Sequence, residues 1–180
     1  MVTLVVSTLM TVVAVTPASS QASSNELAEL VASFLAWRPS PGAADEVNPY
    51  RPKLLAQGDA GVQPLLTALT KAPDDVAAVW LLGEIGSSKG FPWLLSRYLA
   101  APSQRVAISI GSCLGVAEVD YLFATEVLDE TSRRALLADI YGVRWSELKN
   151  DSLESIRKHL EKHLEEVRTM NRKRSQPSIG

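Results

Sequence analysis

In the stretch FPWLLSRYL the apolar residues Phe91, Leu94, Leu95 and Tyr98 stand at i, i+3, i+4 and i+7, the single stripe of an amphipathic helix. The preceding stretch, VAAVWLLGEIG from Val76, is apolar on every side, which predicts a helix buried all round. Its Trp80 then needs a cover: the amphipathic segment before residue 38, the proline-rich stretch after it, or a partner protein. Asp74 and Asp75 suit the start of this helix, where carboxylates meet unpaired N–H groups and the positive end of the dipole. Gly86 suits its end in a left-handed conformation. The linker SSKG follows, and Pro92 falls in the first turn of the next helix, where a missing N–H costs nothing. No strand-pairing turn signal interrupts this pattern, so a pair of short helices is the unit.

The unit recurs. Ala72-Pro73, Ala78, Ile85 and Gly86 align with Ala101-Pro102, Ala107, Leu114 and Gly115 at an offset of 29 residues. Phe91, Leu94 and Leu95 align with Val119, Leu122 and Phe123 at 28, a slip of one, and backwards with Val62, Leu65 and Leu66 at 29. TSRRALLADIYG from Thr131 resembles the first helix of one more unit, and Ser103 suits the start of another. A repeated helical hairpin whose units bury only against neighbours predicts an all-α chain built as an α-solenoid.

LLGEIGSSKGFPWLL resembles the short HEAT repeat of phycobilisome lyases, in which an alanine-rich helix, Leu-Gly-x-Ile-Gly, a short linker and a proline-containing second helix follow one another. Leu82, Gly83, Ile85, Gly86 and Pro92 match that pattern. In the next unit Gly115 matches, whereas Ser112 stands for the first glycine and Asp120 or Tyr121 for the proline. The likeness covers Leu54 to Gly142. It implies a right-handed solenoid with an armadillo-type superhelix, its second helices lining the concave side. The period is shorter than the ~40–47 residues usual for HEAT units, and ankyrin and tetratricopeptide periods (~33 and ~34) do not fit either.

The flanks differ in character. Residues 1–22 open with the apolar MVTLVVSTLMTVVAV and reach the small-residue triplet Ser20-Gln21-Ala22, which reads as a secretory signal cut near Ala22. The run lacks a leading Lys or Arg, so a cytoplasmic chain is the alternative. It is also short for a membrane span, which needs ~20 apolar residues, and no stable span is expected in the mature chain. Residues 23–53 hold a helix over Asn25–Trp37, with Ser23 and Glu26 spaced as a capping box, and a proline-rich linker. Repeats occupy 54–149. Over 150–172, Leu153, Ile156, Leu160, Leu164 and Val167 line one side of a long helix expected to cap the last repeat, as terminal units need a polar outer face. Residues 173–180 read as a disordered tail.

Composition narrows the chemistry. A net charge of −2 argues against a nucleic-acid binder, which carries a basic face. The single cysteine, Cys113, forms no intramolecular disulfide, and its apolar surroundings predict a buried, inert thiol. The only histidines, His159 and His163, stand at i and i+4 in HLEKH. Glu161 between them points to another side of the helix, unlike the adjacent glutamate of zinc-protease helices, and no third ligand is in view, so neither a metal nor a cofactor is expected. The glycines of GEIG and SIGSCLG do not open a phosphate-binding loop.

Binding fits the residues better than catalysis. With the apolar stripe inward, Trp93, Ser96 and Arg97 face outward on one second helix, Tyr121, Ala124 and Thr125 on the next, and Gln63, Thr67 and Lys71 on the one before. Trp93 beside Tyr121, with Arg97 one turn on, would form the aromatic and guanidinium patch that anchors protein partners. The expectation is an exported protein-binding or scaffold module with no activity of its own, built around Trp93, Arg97, Tyr121, Gln63 and Thr67. The alternatives are an enzyme subunit similar to the bilin lyases and a dedicated inhibitor or chaperone of one secreted partner.

Overall fold

Six of the residues that the repeat sets in register, Val62 and Leu65, Phe91 and Leu94, Val119 and Leu122, are each no more than 5% exposed. The structure, a computed structural model, describes residues 22–41, 46–124 and 128–175, and for residues 143 and 167–175 the backbone alone. The described elements are α1 (Ser24–Ala36), α2 (Arg51–Gln57), α3 (Asp59–Lys71), α4 (Val76–Ile85), α5 (Phe91–Ala100), α6 (Gln104–Cys113), α7 (Val116–Ala124), α8 (Glu130–Tyr141), α9 (Trp145–Leu148) and α10 (Leu153–Ser175). No strand occurs among the described residues, and none of the described helices is long and apolar enough to cross a membrane. The described residues are all-α, as the periodicity predicts.

Local chemistry sets the helix ends. At α1, Glu26 N–H donates to Ser23 Oγ, and Glu26 Oε2 accepts from Ser23 N–H at 2.6 Å, completing the capping box. Asp75 Oδ1 accepts from Ala78 N–H at 2.9 Å to start α4, and Asp129 Oδ1 accepts from Ser132 N–H at 2.6 Å to start α8. Gly86 ends α4 at φ 65°, in the left-handed region that penalises a Cβ. Gly115 does not repeat this conformation. There α6 ends on an extended Leu114, and Gly115 N–H donates to Glu118 Oε2 at 2.9 Å to open α7. The tight turn at Ser88–Gly90 has no counterpart between α6 and α7, which is where the register slips by one residue.

Helices α4, α6 and α8 pack side by side, α5 packs on α6, α1 on α3, and α10 on α7. Small residues bring the first three together: a Cβ on Gly111 would lie 3.0 Å from Ile140 Cγ2. Ile156 and Leu160 of α10 are buried, and Arg157 pairs with Asp120 of α7 at 2.5 Å. Two arginines of α8 tie the connections on either side. Arg133 donates to the Leu122 and Leu128 carbonyls at 2.6 and 2.8 Å, and Arg134 to those of Lys149 and Asp151 at 3.3 and 3.1 Å. The tail assigned from residue 173 is still helical through Ser175; the rest of it, like residues 1–21 and Thr125, lies outside the described residues.

Candidate functional site

The face of α5 opposite the apolar stripe has two flanks. Pro92, Ser96 and Leu99 turn towards α7, and Trp93 and Arg97 turn the other way. Between α5 and α7 runs an open groove of about 580 Å³, with Leu95 and Phe91 at its base and Tyr121 on its far wall. Tyr121 is 45% exposed and Leu99 40%. The Tyr121 ring meets Phe91 edge-on, centroids 6.0 Å apart at 89°, which holds it upright over the groove. Glu118 also lines the groove, but its carboxylate is engaged by Gly115 N–H.

The five residues expected to form one patch are thus divided. Tyr121 stands in the α5–α7 groove. Trp93 is half-buried and packed against the core, and Arg97 pairs with Asp74 just ahead of α4. Gln63 and Thr67 line a different groove, about 700 Å³, between α3 and α1. There the Thr67 hydroxyl donates to the Gln63 carbonyl at 3.0 Å, a bond within its own helix. Leu99 and Ser96 join Tyr121 instead. Ser96 was legible as outward-facing; Leu99, and the neighbour they share, were not.

Trp80 has a partial cover. It lines a cleft of about 470 Å³ with Phe34, Trp37 and Val76, where the end of α1 and Asn48 of the proline-rich segment reach α4. Asn48 Nδ2 donates to the Phe34 carbonyl at 2.9 Å and fixes that segment in place. Trp80 nevertheless remains 45% exposed. Arg51 closes the rim with a two-pronged bond to Glu84 at 2.8 and 2.5 Å.

The reactive side chains are placed as follows. Cys113 is buried, its thiol 3.9 Å from the Leu82 carbonyl, and burial pushes it up to about 12, far above the range of a nucleophilic thiol. His159 and His163 are exposed on α10, and Glu161 between them is taken by Arg157 at 2.8 Å. No group of three or more potential metal ligands forms among the described residues. The Tyr98 hydroxyl donates to Asp139 at 2.6 Å; burial first, and then this bond, raise its pKa well above the usual tyrosine value. It joins α5 to α8 and is structural. No family model, curated protein or solved structure matches the chain.

Proposed function

We propose that the chain is a short solenoid of HEAT-like helical pairs, closed at one end by α10, that serves as a protein-binding module without catalytic activity of its own. The partner's apolar side chain enters between α5 and α7 and stacks on Tyr121. The observation that carries this reading is the α5–α7 groove, in which an exposed Tyr121 and Leu99 face each other over an apolar floor. Large exposed aromatic and aliphatic side chains converging on one groove are the common anchor points of protein interfaces. The groove also lies on the second-helix side, where the resemblance to HEAT repeats puts the binding surface. Export directed by residues 1–22 belongs to the same proposal.

The test is affinity capture from the source cells on the full chain and on its Tyr121→Ala/Leu99→Ser variant, followed by titration of the purified captured protein against both. A partner bound by the first and weakened at least about tenfold in the second, equivalent to ~1.4 kcal/mol, is the expected result. Equal binding by the two chains overturns the assignment of the groove.

A further inference from the structure

A further concavity, about 610 Å³, opens between α6, α8 and α10, away from the α5–α7 groove and independent of the function proposed for it. Its floor is apolar, with Ile108 from α6, Ile140 from α8 and Leu160 from α10. Its polar wall carries Arg144, His159 and His163, and no carboxylate lines it. Arg144 is exposed and, like both histidines, takes part in none of the ion pairs among the described residues. Two imidazoles one turn apart on α10 and a guanidinium from the turn after α8 therefore line one cavity with no ion pair among the described residues to occupy their donors. This contrasts with Arg51, Arg97, Arg134 and Arg157, each of which has a carboxylate partner.

A second observation belongs to the same wall. Tyr141 packs against the His159 ring, centroids 6.1 Å apart, and its hydroxyl is the one buried side-chain polar atom without a hydrogen-bond partner among the described residues. A buried hydroxyl normally has a partner, because leaving it without one forfeits the bonds it makes in water. The hydroxyl is closed off from solvent, so Tyr141 contributes its ring and not its oxygen to the wall.

The dimensions suit a small molecule, since such sites run to roughly 300–1,000 Å³ with apolar walls and a few convergent polar groups. The apolar floor asks for a hydrocarbon body, and the three unpaired donors ask for an anionic head with two oxygens. We infer that this cavity binds a small apolar carboxylate, its hydrocarbon part resting on Ile108, Ile140 and Leu160 and its carboxylate received by Arg144, His159 and His163.

The chain carries its own reporters, because its only two histidines both line the cavity. Sodium octanoate is titrated into the full-length protein while the imidazole C–H resonances are followed by NMR, with sodium acetate and octan-1-ol as head-only and body-only controls. The expected result is a saturable shift of both imidazoles with octanoate, and about tenfold weaker binding in Arg144→Gln, the loss of one charge-assisted hydrogen bond. Arg144 is exposed, and an unchanged far-ultraviolet circular dichroism spectrum and melting midpoint of the free variant verify its fold. Shifts that never saturate, that acetate or octan-1-ol reproduces at equal concentration, or that Arg144→Gln leaves unaltered overturn the inference.

Discussion

Ser109 of α6 lies against Gly83 of α4 so closely that a Cβ on the glycine would come within 2.8 Å of the Ser109 Cα. At the same crossing the Ser109 hydroxyl donates to the Val79 carbonyl at 3.1 Å, so a buried serine is satisfied across two helices. The contact is between backbones, and rotating a side chain does not relieve it. Gly83→Ala is therefore expected to destabilise the protein by about 1–3 kcal/mol, as overpacking does, despite alanine's better helix propensity. Urea denaturation measures it, and an unchanged or raised midpoint would show that α4 and α6 separate at little cost.

Three substitutions on α5 and α7 separate core from surface. Leu94 is fully buried, so Leu94→Ala should cost about 2–5 kcal/mol. Tyr121 is 45% exposed, and Tyr121→Ala should cost no more than about 1 kcal/mol. Trp93 lies outside the apolar stripe, yet it is half-buried on the core, so Trp93→Ala should fall between them, at about 2 kcal/mol. Equal losses for Trp93 and Tyr121 would contradict this placement.

Cys113 should resist alkylation. With the thiol buried and its pKa pushed up to about 12, iodoacetamide at neutral pH is expected to label the folded chain negligibly and the urea-unfolded chain fully. Rapid labelling of the folded protein, read by mass spectrometry, would show that α6 opens readily.

The helix caps give the stability a pH dependence. The Asp129 carboxyl is held below its ordinary value by hydrogen bonds from the Ser132 N–H and hydroxyl, and that of Glu26 by the corresponding bonds from Ser23. A carboxyl whose folded pKa is lowered binds its proton more readily in the unfolded chain. Its stabilisation is complete above the unfolded value, near 4, and is lost as pH falls through the lowered folded value. Asp129→Asn should accordingly flatten the acid limb of a thermal-melting curve followed from neutral pH downwards, with little change at neutrality because asparagine also caps. An acid limb identical to that of the parent would remove Asp129 from the account.

The division of the expected binding residues shows where reading the chain stops. Trp93 and Tyr121 both lie off the apolar stripe, but Tyr121 stands in the α5–α7 groove while Trp93 turns away from it, because Pro92, which does line the groove, and Trp93 are one position apart on α5 and differ by about 100° in direction. Spacing says that Trp93 and Arg97 share a flank. It does not say that this flank meets Asp74, or that Leu99 and Ser96 meet Tyr121. The cavity under α10 is a sharper case. HLEKH was legible as two histidines on one side of a helix, while Arg144 carried no signal linking it to them.

What the sequence by itself determined is everything governed by neighbours a few residues apart. The capping box at Ser23, the cap at Asp75, the left-handed Gly86, the entry at Pro92 and the buried register of α3, α5 and α7 all rest on hydrogen bonds or periodicity within one or two turns. The tertiary structure alone decided which helix faces which: the approach of Gly83 to Ser109, the Tyr98–Asp139 bond, the grooves beside Tyr121 and His159, and the different endings of α4 and α6. Those depend on how each helix is rotated about its axis against partners distant in the chain. Side-chain volumes from both elements settle that rotation together, so neither segment specifies it alone.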